Sequence, residues 1–290
     1  MAGDREFWVQ DGEDADHFHG GHWGVFFADV GEMLPELLPV ILEHGQLWID
    51  RSKPSEPHKP RAAALRMAHS GDAGYSVALI EFQAGQNLFA SCWPMVEGVG
   101  THRLTLRRGF LWSNRIEAQL EAGLGPSSIC FFDHRFLANG DAYHEGLQAE
   151  FHLCLHAYLL EPADNTPVVI DDPDWPGREF LQPDDPDDPT SPITIRREGM
   201  AAFFQHGDGD RDDCEFRGPV KAVRELGQPA FGNRTWILTV TVLRDGEDVD
   251  LDVVLTAQVL GGRPLPQVGD DVQGAGWAQG WLASRESGIT

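Results

Sequence analysis

Lysine is nearly missing from this 290-residue chain: only Lys53, Lys59 and Lys221 occur, so almost all of its 22 basic side chains are arginine. Against 46 acidic residues they leave a formal charge of −24. That field opposes broad nucleic-acid binding, because each phosphate contact would be made against overall repulsion, and it disfavours anionic membrane surfaces for the same reason. The residues before the three lysines are Ser52, His58 and Val220. None is glycine, which excludes a phosphate-binding P-loop. No apolar run approaches the roughly 18 residues of a bilayer span, and the best, 37–42, is broken by Pro39. A secretory signal is lacking as well: Asp4, Glu6, Glu13, Asp14 and Asp16 stand where its basic and apolar regions would be, so a cytoplasmic chain is expected. Cysteine is sparse, with Cys92, Cys130, Cys154 and Cys214 far apart and no C-x-x-C pair. A zinc ribbon is excluded, and free, mostly buried thiols are expected.

Familiar catalytic signatures are absent too. The pairs Gly98-x-Gly100, Gly123-x-Gly125, Gly207-x-Gly209 and Gly274-x-Gly276 lack the third glycine of a dinucleotide fingerprint. His144-Glu145 begins like a zincin helix, but Gln148 stands where the second histidine ligand belongs. A calcium loop starting at Asp208 fails because Asp213 replaces its turn glycine and Pro219 occupies its bidentate position. There is no Gly-x-Ser-x-Gly nucleophile elbow.

What is present is mainly β sequence, an α+β chain with few helices. Short runs rich in aromatic and β-branched residues at 75–82, 87–93, 103–112, 128–132 and 151–160 read as strands of a domain spanning 1–160. The best helix is 30–44, closed by Gly45 and kinked or shortened by Pro39. At 114–122, Asn114 and Glu117 resemble a capping box, while Ile116, Ala118 and Leu120 alternate as in a strand; the strand is preferred. Residues 161–192 hold eight prolines and ten acids against Arg178 alone, a net charge of −9. An acidic, solvated linker or long surface loop is expected there.

Four further strand-like stretches, 216–223, 235–243, 251–259 and 271–282, make an all-β unit over 193–290. At 235–242 and 250–256 the alternation predicts one buried and one wet face. The opening Phe216-Arg-Gly-Pro-Val-Lys-Ala-Val223 and closing Gln267-Val-Gly-Asp-Asp-Val-Gln-Gly274 resemble the first and last strands of a small OB-like β-barrel. The resemblance covers this third of the chain and implies a binding scaffold without a particular activity.

Three constellations remain as candidate sites. His17, His19 and His22 lie within six residues beside Asp14 and Asp16, a donor set suited to zinc or another divalent metal. On a strand, His152, Cys154, His156 and Tyr158 share one face, and convergence of the two histidine groups would strengthen a metal site. Arg103, Arg107, Arg108 and Arg115, interleaved with Phe110 and Trp112, form the one local positive stretch, able to clamp an anion or a single-stranded base, or to pair with the chain's own acids. Trp277 and Trp281 share a strand face near the C-terminus and offer a docking surface or core packing.

The expected function is non-catalytic binding, as an adaptor, inhibitor or immunity-type protein that needs no cofactor. Its expected partner is another protein, basic in charge, met through Trp277, Trp281 and the acids Asp184, Asp185, Asp187 and Asp188. The competing expectation is a metal-dependent enzyme that activates water at the histidine cluster and holds a small anionic substrate with arginine. Single-strand binding along 103–115 is a third.

Overall fold

The computed structural model describes residues 7–10, 19–50, 62–70, 72–83, 86–205 and 210–283. Its strands in chain order are β1 (Trp8–Gln10), β2 (Gln46–Asp50), β3 (Ala62–Ser70), β4 (Ala73–Gln83), β5 (Gln86–Val96), β6 (Thr101–Leu111), β7 (Ala118–Leu124) and β8 (Ser127–Asp133). They continue with β9 (Gln148–Pro162), β10 (Val168–Ile170), β11 (Ile193–Ile195), β12 (Ala202–Gln205), β13 (Asp213–Glu225), β14 (Thr235–Asp245), β15 (Glu247–Thr256) and β16 (Asp271–Leu282). The helices are α1 (Val30–His44), α2 (Phe136–Asn139) and α3 (Ala257–Leu260), with 3-10 turns at Gly21–Val25, Gly140–Ala142 and Arg178–Phe180. The chain is mainly β, as expected.

Ten strands form one sheet in the order β1-β6-β7-β8-β16-β9-β15-β14-β13-β12, and the extra pairings β6–β9 and β16–β13 close it into two rings. One ring runs β6-β7-β8-β16-β9, and the other runs β9-β15-β14-β13-β16. Both use the long antiparallel β9–β16 pair, which runs from Val272↔Pro162 to Leu282↔Phe151 with one register shift between Ala275 and Gly276. Closure satisfies the edges of these strands without a covering layer. The strands within 193–290 therefore do not close a ring by themselves, because β9 (Gln148–Pro162) supplies the fifth strand of theirs. Residues 161–192 leave the sheet at the end of β9 and return toward β12, so strands on both sides of them share one sheet.

The alternation in β9 builds two cores. Phe151, Leu153, Leu155 and Ala157 join Leu238, Val240, Leu251 and Val253 inside the rings. Cys154, on the opposite face, packs with Trp23, Phe26, Ile237, Val254 and Trp281. This second core is covered by α1, the Gly21–Val25 turn and a separate four-stranded sheet in the order β2-β3-β4-β5. That cover corrects the one-wet-face expectation: on β14, Thr235, Ile237 and Thr241 are all buried. Ile237 lies under the covering layer, and the Thr241 hydroxyl donates to Asp250 Oδ1 at 2.6 Å.

Three local expectations are also refined. α1 runs unbroken through Pro35 and Pro39 to His44, so Pro39 does not shorten it. Gly45 follows because a Cβ there would lie 2.4 Å from the Ile41 carbonyl oxygen. Asn114 and Glu117 make only half of a capping box, in a turn that leads into β7 and not into a helix: Asn114 Oδ1 accepts from the Ile116 and Glu117 amides, while the return bond to Glu117 comes from the Asn114 side-chain Nδ2 and not from its backbone amide. The stretch at 251–259 ends as a strand at Thr256, whose hydroxyl accepts from the Val259 amide and caps α3.

Candidate functional site

Residues 161–192 form a folded arm. β10 and β11 pair antiparallel, with Val168 opposite Ile195 and Ile170 opposite Ile193. The single cation, Arg178, hydrogen-bonds backbone and not a carboxylate, though its charge is felt by Asp188. Its guanidinium donates to the carbonyls of Ile170 and Pro189 at 3.3 and 3.2 Å, and to that of Ser191. The positive charge thus staples the arm from inside, and Asp171, Asp172, Asp174, Glu179, Asp184, Asp185, Asp187 and Asp188 are left exposed. Local turns fix the predicted partner-binding acids. Asp184 accepts from the Thr194 amide and hydroxyl, Asp188 from those of Thr190, and Asp185 from the Asp187 amide. Those bonds hold the Asp184 and Asp188 carboxyls below the usual carboxylate range, so they keep their charge.

At the arm's root, buried Arg217 donates to the carbonyl oxygens of Asp164 and Arg197 and to the side chain of Asn165. Arg197 pairs with Asp164 at 2.9 Å. The neighbouring sheet face carries a cross-strand row, Phe204–Glu215–Ala275–Leu159, set by the registers of β12, β13, β16 and β9. Phe204 is 65% exposed, and Leu159, Val168 and Met200 are exposed around the same shallow groove. On the arm, Phe180 is 84% exposed, and Trp175 and Val169 are exposed as well. Neither Arg217 nor these apolar residues stood out in the sequence; the density of acids did, with Arg178 noted only as their lone cation.

Trp277 and Trp281 are corrected from docking residues to core residues: both are buried. Their even spacing on β16 sets them opposite His156 and His152 on β9. His22 stacks on Trp277 at 4.0 Å with the planes 5° apart, and His152 stacks on Trp281 at 4.7 Å. The two histidine groups therefore do approach each other, around tryptophan. Burial, with the neighbouring His19 and His156, pushes His22 well below the ordinary histidine value. Burial drives His156 to about 3 despite the nearby Gln279 side chain. Trp277 Nε1 donates to Asp212 at 2.9 Å, yet burial raises that carboxyl to about 6.

Of the predicted metal ligands, His17 lies outside the described residues. Both ring nitrogens of His19 are engaged, Nδ1 with His22 Nδ1 at 2.9 Å and Nε2 with Glu117 Oε1 at 2.8 Å. Among the described residues, no three His, Cys, Asp or Glu side chains are grouped to hold a metal ion. Glu117, to which the sequence reading assigned no role, is the centre of this cluster: it also accepts from Ser91 Oγ at 2.7 Å and from Asn114 Nδ2 at 2.5 Å. Its trace in the sequence was the Asn114-x-x-Glu117 spacing.

Arg103, Arg107, Arg108 and Arg115 are all exposed. A register shift in β6 between Leu106 and Arg108 leaves two consecutive arginines facing out. Arg103 stands opposite Glu150 and Arg108 opposite Glu121, so acids of the same sheet dilute the positive stretch. Arg115 sits apart, in the turn before β7, with φ at 59°. All four cysteines are buried. No described helix is long and apolar enough to cross a membrane.

No protein-family model matches the chain. No curated protein matches it. Among solved structures, it is similar to a crystal structure of the cytoplasmic molybdate-binding protein ModG with molybdate bound. The alignment covers 65% of this chain and 99% of that one, at 11% identity and a TM-score of 0.29. A likeness that weak carries no argument about fold or function.

Proposed function

We propose that this chain is a non-catalytic binding protein, of adaptor, inhibitor or immunity type, that engages a basic protein through the acidic arm and the apolar sheet face beside it. The observation that carries this reading is the arm's distribution of charge. Its one cation is turned inward onto backbone carbonyls, while eight carboxylates and Phe180 point to solvent. Carboxylates raise the encounter rate with a cationic partner, and large apolar side chains supply the contact that holds it. The turns that fix Asp184, Asp185 and Asp188 reduce the ordering cost of binding.

The test is affinity capture from cell extract at moderate salt, comparing the unaltered chain with one carrying D184N, D185N, D187N and D188N and another carrying Phe180→Ser. One basic protein, retained stoichiometrically by the unaltered chain and lost from both variants, is the expected result. No retained protein, or a partner retained equally by all three, overturns the reading.

A further inference from the structure

A cleft of about 210 Å³ opens between the Gly21–Val25 turn, α1 and β5. Its apolar lining is Trp23, Leu34 and Phe89, and its polar lining includes His19, Ser91, Asn114 and Glu117. Most donors of that polar group are already spent, and Asn114 Nδ2 keeps one of its two N–H groups. His19 Nε2 and Ser91 Oγ both reach Glu117 Oε1, at 2.8 and 2.7 Å, and Asn114 Nδ2 reaches Oε2 at 2.5 Å. Asn114 Oδ1 is occupied by two backbone amides. A carboxylate offers about four acceptor positions, so one remains on Glu117, and the Ser91 oxygen keeps its lone pairs. Beyond that one N–H, what the cleft has left to offer is acceptors.

Charge points the same way. Glu117 is buried, and among the described residues no arginine or lysine contacts it. Burial disfavours a charge on His22, whose Nδ1 lies 2.9 Å from His19 Nδ1, and His19 Nε2 lies 2.8 Å from Glu117 Oε1. Glu117 is thus the acidic group of the cluster, set in surroundings that solvate charge poorly. Trp23 forms one wall and is fixed there by its Nε1 bond to the Cys92 carbonyl at 3.1 Å.

We infer that this cleft binds a small organic ammonium ion, its N–H donors on Glu117 and Ser91 and its hydrocarbon part between Trp23, Leu34 and Phe89. The volume equals roughly seven water molecules at about 30 Å³ each, enough for a short alkylamine and below the usual size of a cofactor site. The site is separate from the arm and does not depend on the protein-binding role.

Calorimetric titration of the full chain with n-butylammonium, 1-butanol and tetramethylammonium tests it. Butanol has the tail without the charge, and tetramethylammonium has the charge without N–H donors. Saturable one-site binding of butylammonium, weakened at least tenfold by Glu117→Gln and less by Ser91→Ala, with neither control probe binding, is the expected result. Equal binding of either control probe, no saturable butylammonium binding at millimolar concentration, or unchanged affinity in E117Q overturns the inference. The three-probe comparison on the unaltered chain holds even if E117Q fails to fold.

Discussion

Trp277 stands directly opposite His156 across the β9–β16 pair, their rings 5.4 Å apart and close to perpendicular, and His22 lies flat against the same indole. The strand pair shared by both rings is thus also where the buried imidazoles gather.

That placement makes stability depend on pH. Burial holds His156 at about 3 in the fold against 6.5 in the unfolded chain. As pH falls through 6.5 the unfolded chain gains a proton that the fold refuses, so stability drops from there toward pH 3. Between pH 7 and 5 this residue accounts for about 2 kcal/mol. His22 and His134 act in the same direction. Asp133 and Asp212, raised to about 7 and about 6, oppose it, since each is more stable buried as the neutral acid. His156→Phe is expected to remove most of its share of the acid loss, read as a smaller difference between urea unfolding curves at pH 7 and pH 5. An unchanged difference would show that His156 titrates normally in the fold.

Trp277→Phe keeps an aromatic ring but removes the donor to Asp212. The loss leaves a buried carboxylate short of a partner and costs about 2 kcal/mol where Asp212 is ionised. Asp212 takes up its proton below about 6, so the penalty is expected to be larger at pH 8 than at pH 5. Equal destabilisation at both pH values would assign the cost to packing alone.

Gly218 lies where β13 crosses β14, and a Cβ on it would sit 1.7 Å from the Thr241 carbonyl oxygen. Backbone cannot yield as a side chain does. Gly218→Ala is expected to destabilise the chain by about 3 kcal/mol, measured by urea unfolding. A cost below 1 kcal/mol, on the order of an ordinary surface change, would contradict that close approach.

Arg178→Met removes the staple inside the arm while leaving the rings untouched. Limited proteolysis is expected to cut 171–191 much faster than in the unaltered chain, with the global unfolding midpoint nearly unchanged. Equal cleavage rates would mean that β10 and β11 hold the arm unaided.

The strands and their faces were legible wherever alternation was strict. Phe151, Leu153, Leu155 and Ala157 point into the rings just as their period of two requires. Sharing of strands was not legible, because β9 pairs with β6, β15 and β16, all distant in sequence, and nothing local to residues 148–162 encodes those partners. The expectation of a wet face on β14 failed for a related reason: a polar residue such as Thr241 can be buried once its hydroxyl finds a carboxylate. In the arm, proline and acid density announced an exposed segment, but the order imposed by Arg178 arises from carbonyls that a sequence does not reveal. Trp277 and Trp281 were correctly placed on one face, and only their neighbours decided that the face lies inside.

The central claim, that the arm recruits a basic protein by charge, is tested most directly by the association rate of the captured partner with the unaltered chain and with the variant carrying D184N, D185N, D187N and D188N, measured across a range of salt concentrations. Steering by the arm predicts that the variant associates several-fold more slowly at low salt and that the two rates converge as salt screens the charge. Equal rates at low salt would contradict it.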